Sequence, residues 1–247
     1  MQESLIIIPT YNEIENIETI IRKVFSLYAD GHILVVDDGS PDGTAEMVKQ
    51  LQNEFSDRLF IEERKGKLGL GTAYIHGFKY ALQKKYQYIF EMDADFSHNP
   101  ASLIELYKGC AIQNADMTIG SRYKNGVNVV NWPMSRVLLS YFAGIYVKFI
   151  TGMPIHDATA GFVCYTRKAL ESIDLDKVKF IGYAFQIEMK FSLWKSGFNL
   201  LEIPIVFTDR TKGTSKMSPK IVKEALLGVL SLKVKSLLKH PGEALSD

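Results

Sequence analysis

The chain has 247 residues, 47% of them hydrophobic, which is enough to fill the core of one large α/β domain. A net charge of +1 leaves no electrostatic footprint for nucleic acid, and no nucleic-acid partner is expected. The two cysteines, Cys110 and Cys164, lie far apart and outside any metal-binding spacing, so a reduced, cytoplasmic setting is expected. A strand is expected from Ser4 onward, which leaves no room for a secretory leader.

Ser4-Leu5-Ile6-Ile7-Ile8 is a continuous apolar run, the pattern of a strand buried on both faces. Pro9-Thr10-Tyr11-Asn12-Glu13 ends it with turn chemistry, and Ile17, Ile20, Ile21, Val24 and Phe25 then recur at helical spacing. Ile33-Leu34-Val35-Val36 is a second buried strand. It runs into Asp37-Asp38-Gly39-Ser40-Pro41-Asp42-Gly43-Thr44, where Asp42 is positioned to cap a helix carrying Ala45, Val48 and Leu51 inward. Strand and helix alternating on short links predict a parallel sheet with right-handed crossovers. Leu59-Phe60-Ile61 is the third strand.

The loop from Lys65 to Thr72 carries Lys67, Gly69 and Gly71 and precedes a helix predicted from about Ala73 to Lys84. Its glycines would let a ligand approach the backbone, although an ordinary strand-to-helix turn has the same composition. Tyr88-Ile89-Phe90 is the fourth strand, ending in Glu91-Met92-Asp93-Ala94-Asp95, and Asn99-Pro100 starts the next helix. Met117-Thr118-Ile119 is a strand that ends in Gly120-Ser121-Arg122-Tyr123. Met134–Thr151 is predicted helical, with Arg136 and Ser140 four apart on one face. A strand runs to Tyr165, a helix over Phe185–Trp194 holds Gln186, Glu188 and Lys190 among apolar neighbours, and Leu200–Phe207 is a strand. Asp209 to Met217 is polar, basic and glycine-containing, as an anion-gripping loop would be. Ile221–Leu238 reads as a basic amphipathic helix, which with Val137–Met153 offers apolar surface to a bilayer. A packed C-terminal helix with solvated lysines has the same pattern.

Asp93 and Asp95 point the same way from a strand tip, at the edge where open α/β sheets bind ligands. Two such carboxylates repel unless a cation lies between them, and a hard ion such as Mg²⁺ or Mn²⁺, completed by substrate phosphate oxygens, suits them. Asp37 and Asp38 after the second strand suit the hydroxyls or base of a nucleotide. The downstream arginines suit phosphate. Together they describe a metal-dependent transferase with a nucleotide-activated donor.

Pro9-Thr10-Tyr11-Asn12-Glu13, Val35 to Thr44, Gly69-Leu70-Gly71-Thr72-Ala73-Tyr74 and Met92 to His98 resemble the family 2 glycosyltransferases. With Gly120-Ser121-Arg122-Tyr123, the Arg136/Ser140 pair and the Arg210–Met217 loop, the likeness narrows to the dolichyl- or polyprenyl-phosphate mannose synthases. The resemblance runs from residue 4 to about 217. It implies a GT-A fold, a mainly parallel Rossmann-like sheet flanked by helices, with amphipathic interfacial helices. On this reading 1–217 is the catalytic domain and 218–247 a basic amphipathic helix and tail. The donor would be GDP-mannose, the acceptor a polyprenyl phosphate, and the sugar carbon would invert. By the same resemblance Pro9, Tyr11, Glu13, Asp37 and Asp38 would hold the nucleotide, and Asp93 and Asp95 the metal. Arg122, Arg136, Ser140 and Arg210 would grip phosphates, with Lys216 assisting from a closing loop. Some members carry Gln as a further metal ligand where this chain has Ser97. The protein would work peripherally on the cytoplasmic face of a membrane, directly at the bilayer surface or through an anchor subunit. A hexosyltransferase using a UDP-sugar and a non-catalytic nucleotide-sugar-binding module are the alternatives.

Overall fold

The computed structural model describes residues 1, 3–210 and 219–238. Four strands, β1 (Ser4–Thr10), β2 (His32–Asp37), β3 (Leu59–Glu63) and β4 (Tyr88–Glu91), run parallel with β1 between β2 and β4. Alternation along the strands divides the interior into two layers. Ile6, Ile8, Ile33 and Val35 face one way, onto α1 (Ile17–Leu27), α2 (Thr44–Gln52) and α4 (Leu103–Ala111). Leu5, Ile7, Leu34 and Val36 face the other, onto α3 (Leu70–Gln83) and α7 (Tyr183–Lys195). All eight side chains are fully buried, which is why these strands read as unbroken apolar runs. Gly77 allows α3 to lie directly on β1, since a Cβ there would stand 2.7 Å from Ile7.

The second half joins the same sheet, giving the order β3-β2-β1-β4-β7-β5-β8. β5 (Met117–Ser121) and β8 (Leu200–Pro204) are parallel to each other, while β7 (Val163–Thr166) runs antiparallel between β4 and β5. The parallel reading therefore holds except for one inserted strand. The run expected over Leu200–Phe207 is two strands. The Ile205 amide makes a last bond to Ser121 O (3.0 Å), and the chain then leaves the sheet. Its continuation β9 (Phe207–Thr208) pairs with β6 (Val129–Val130) in a small second sheet. The helix expected at Pro100 begins as a 3₁₀ turn, Pro100–Ser102, capped by Asn99, whose Oδ1 accepts from Ala101 N at 3.0 Å.

The helix α5 spans Met134–Thr151, as its sequence pattern indicated, and α8 spans Pro219–Leu238. The short α6 (Arg167–Glu171) follows β7. Val147 of α5 and Val229 and Leu232 of α8 belong to the same core layer as α3 and α7. Strands β1, β2, β4 and β5 all end on one edge of the sheet, and the site forms there.

Candidate active site

A cavity of about 580 Å³ opens at that edge between the strand tips, α5 and the start of α7. Pro9, Tyr11, Glu13, Asp38, Lys67 and Gly69 line one end of it. Asp93 and Asp95 line the middle, and Arg122, Arg136, Ser140 and Arg210 the other side. All of the residues expected at the site are gathered there except Asp37 and Lys216. Lys216 lies outside the described residues.

Asp37 does not reach the cavity, which departs from the expectation that it holds nucleotide. It is fully buried, and its carboxylate accepts from Thr10 Oγ1 (2.7 Å), Ser40 Oγ (2.6 Å) and Ser40 N (2.8 Å). It fixes the turn that presents Asp38. The neighbouring carboxylate is held by a residue that no sequence motif marked. Arg64 Nε donates to Asp38 Oδ1 at 2.7 Å, and Arg64 Nη1 to Thr72 Oγ1 at 2.9 Å. Leu68 N donates to Asp38 Oδ2 at 3.0 Å, so Arg64 and Asp38 together pin the glycine loop. Gly69 there has φ 104°, a conformation closed to residues with a Cβ. Across the same end, Lys67 Nζ sits 4.9 Å from the Tyr11 ring centroid.

Asp95 is nearly buried. Its Oδ1 accepts from Ser97 N at 3.0 Å, and its Oδ2 meets Arg210 Nη2 at 3.0 Å. Asp93 is 36% exposed to the cavity, with Tyr74 Oη 3.5 Å from its Oδ1. The low-dielectric wall and then the charge of Asp95 push the Asp93 carboxyl up to about 7. That crowding of negative charge is the condition a divalent cation relieves. Among the described residues no cluster offers three or more His, Cys, Asp or Glu ligands. The pair therefore fits a hard ion completed by other oxygens, such as those of a diphosphate. Ser97 lines the cavity beside the pair. His98 is buried, stacks on Phe162 (4.9 Å between centroids, 8° between planes), and is held neutral by burial, down to about 4.

The arginines are each oriented by an acid. Arg122 follows β5 and is clasped by Asp157, with Nε to Oδ2 at 2.7 Å, Nη2 to Oδ1 at 2.6 Å and the Arg122 amide to Oδ2 at 2.9 Å. Burial alone would raise the Asp157 carboxyl, but the guanidinium overrides it and holds the group below the usual carboxylate range. Arg136 Nη1 donates to Asp209 Oδ1 at 2.9 Å and stacks over Trp132 at 4.1 Å. The Arg210 amide donates to the same Asp209 oxygen at 3.1 Å, which links the two arginines.

Beneath the cavity floor lies a charged cluster. Burial pushes Glu91 up to about 7 and Lys190 down to about 8. Glu91 Oε1 accepts from Tyr165 Oη at 2.9 Å and Oε2 from Gln186 Nε2. Lys190 Nζ donates to Ala160 O (2.7 Å), Gln186 Oε1 (2.9 Å) and Gln186 O (3.3 Å).

The family profile for "Glycosyl transferase family 2" matches residues 5–174. The chain belongs to that family. It is 46% identical over 228 residues to a polyprenol monophosphomannose synthase of Mycolicibacterium smegmatis, covering 92% of this chain and 86% of that protein. It is 41% identical over 225 residues to an undecaprenyl-phosphate mannosyltransferase of Micrococcus luteus, covering 91% of each. Among solved structures it resembles a glucosyl-3-phosphoglycerate synthase of Mycobacterium tuberculosis (TM-score 0.65, 15% identity, 92% of this chain and 79% of that one). It also resembles a mannosyltransferase of Pyrobaculum calidifontis in complex with GDP-Man and Mn2+ (TM-score 0.57, 17% identity, 96% of this chain and 74% of that one). The fold is thus the GT-A type, and the protein is a glycosyltransferase.

On the outer face of α5, Leu138, Phe142, Ile145 and Phe149 are exposed, Phe149 at 85%. Leu139, Ser140, Ala143 and Val147 of the same helix line the cavity. Leu227, Leu230 and Val234 extend the apolar patch along α8, and Tyr146 Oη of α5 joins that helix at Leu226 O (3.0 Å). The side chains of Lys220, Lys223 and Lys235 lie outside the described residues. No described helix is long and apolar enough to cross a membrane.

Proposed function

We propose that this glycosyltransferase moves mannose from GDP-mannose to a polyprenyl phosphate, releasing GDP with inversion at the sugar carbon. One observation carries the reading. A carboxylate pair suited to a diphosphate-bound cation and three acid-braced arginines share one cavity, beside a helix whose other face is bare hydrocarbon. Both mannosyl-transferring relatives fit it in name.

Tyr11, Glu13, Asp38 and Lys67 hold the nucleotide. Asp93 and Asp95 would hold Mg²⁺ or Mn²⁺, which would neutralise charge on the departing diphosphate. Arg122, Arg136 and Arg210, with Ser140, bring the acceptor phosphate behind the sugar against the repulsion of two anions. The attacking oxygen is already anionic at neutral pH, since a phosphate monoester has its second pKa near about 6. The site therefore needs no general base. The test is incubation with labelled GDP-mannose, UDP-glucose or UDP-GlcNAc, polyprenyl phosphate and Mg²⁺ or Mn²⁺. Mannose in the organic phase is the expected result. Label carried there only from a UDP-sugar overturns the donor.

The acceptor tail stays in lipid while its phosphate enters the cavity, so we place the protein peripherally on the cytoplasmic face of a membrane. There the free, buried Cys110 and Cys164 remain reduced, and an anchor subunit would add to the attachment. The outer face of α5 is the docking surface. Burying a phenylalanine is worth roughly 1.5–3 kcal/mol, so Phe142→Glu with Phe149→Glu should weaken vesicle binding about a hundredfold or more. Co-sedimentation with anionic vesicles checks this, and unchanged binding would remove α5 from the surface.

A further inference from the structure

The Glu91–Gln186–Lys190 cluster is not used by the mechanism above, yet it lies under the site. Gln186 lies in the first turn of α7, is 2% exposed, and lines the cavity. Its amide is held at both ends by opposite charges: Nε2 donates to the Glu91 carboxylate, and Oε1 accepts from the Lys190 ammonium. Turning the amide over would set NH₂ against ammonium and carbonyl against carboxylate, so the pair fixes its direction. Lys190 has three N–H groups and three acceptors, Ala160 O, Gln186 O and Gln186 Oε1, and gives nothing to the cavity. Glu91 has both oxygens engaged.

The amide NH₂ has two hydrogens, of which Glu91 takes one. Gly161 also lines the cavity, and a Cβ added there would stand 3.7 Å from Nε2. Phe185, next to Gln186, stacks on Tyr74 (6.1 Å, 7° between planes), and Tyr74 Oη reaches Asp93. Gln186 bonds to Glu91, two residues before Asp93, and so sits by the middle of the cavity, where a sugar would leave its diphosphate. A neutral N–H backed by a carboxylate is a poor receptor for phosphate, which the arginines take. It is a good donor to a hydroxyl. A polyprenyl phosphate carries no alcohol hydroxyl, and the ribose hydroxyls belong to the nucleotide at the Tyr11, Glu13, Asp38 and Lys67 end, so the hydroxyl is one on the transferred sugar.

Resting on the proposed transfer, we infer that Gln186 specifies the donor sugar by donating its second amide hydrogen to one sugar hydroxyl, with Glu91 and Lys190 as positioning residues that aim it. The experiment pairs protein variants with donors lacking single hydroxyls, GDP-2-deoxy-, GDP-3-deoxy- and GDP-4-deoxymannose. In the wild type one deoxy donor should lose about tenfold in kcat/KM. Gln186→Leu should lose a similar factor with mannose itself and nothing further with that analogue, while GDP binding stays within about twofold. Gln186→Leu leaves two buried charges facing a hydrocarbon, so Gly161→Ala is the second variant. Gly161 has no positive φ, and the added methyl covers the amide nitrogen without touching the pair. It should lose discrimination for the same hydroxyl. Lys190→Met, which frees the amide to turn, should blunt that one ratio and not the other two. Additive losses for every deoxy donor in the variants that fold would overturn the inference. A wild type inactive with GDP-mannose would instead overturn the donor assignment, and the same cycle would then be run on the sugar it does transfer.

Discussion

Asp95→Asn is expected to lower kcat/KM by about 10³-fold while the protein still folds. The substitution keeps the shape of the side chain and the oxygen that accepts from Ser97 N at 3.0 Å. It removes the charge that faces Arg210 at 3.0 Å and half of the negative charge available to a divalent cation. Loss of an ion-holding charge acts on the leaving group, so the fall should appear in kcat as well as in KM. Thermal melting should move by only a few degrees, because Asp95 adds repulsion against Asp93 as well as attraction to Arg210. Initial rates with labelled donor over a Mn²⁺ titration, beside a melting curve, separate the two effects. A variant that turned over normally would mean that Asp93 and Asp95 are not the cation site.

The gathering of these residues at one cavity was legible because its signal is local. Asp93 and Asp95 stand two residues apart at the end of an apolar strand, and strand direction alone brings Asp38 and Arg122 to the same edge. The first half of the fold was readable for the same reason. Each parallel strand is buried on both faces, so Leu5–Ile8 and Ile33–Val36 are unbroken apolar runs. The groups that brace the site are long-range partners and leave no such mark. Asp157 lies 35 residues from Arg122, Asp209 lies 73 from Arg136, and Gln186 lies 95 from Glu91. Gln186 and Lys190 were conspicuous only as polar residues in an apolar helix. Asp37 was misplaced for a physical reason. The last residue of a strand alternates to the face opposite its neighbour, so of two adjacent acids only Asp38 reaches the cavity. The reversal of β7 was hidden because a buried antiparallel strand and a buried parallel one share the same apolar composition.

The second large effect belongs to one of those bracing acids. Asp157→Ala should destabilise the protein by about 3–5 kcal/mol, the usual cost of leaving one member of a buried ion pair alone. Asp157 is 1% exposed and holds Arg122 through two side-chain bonds and one backbone bond. Without it the guanidinium keeps Thr159 Oγ1 at 2.9 Å but loses the Asp157 carboxylate. Misaiming the arginine proposed to hold the acceptor phosphate should cost about 10²-fold in kcat/KM for the lipid phosphate, with nucleotide binding much less affected. The pH dependence discriminates an ion pair from mere packing. The folded carboxyl lies below its unfolded value of about 4, so its contribution is complete above that pH. It is lost as the pH falls through the folded value. Urea unfolding of the wild type and Asp157→Ala should therefore differ by a constant amount near neutrality and converge in acid. Asp157→Asn keeps the acceptor oxygen but not the charge, and should fall between them at neutral pH. A gap between wild type and Asp157→Ala that stayed the same down to strongly acid pH would show that the side chain is worth only its packing, and that Arg122 is aimed by something other than this carboxylate.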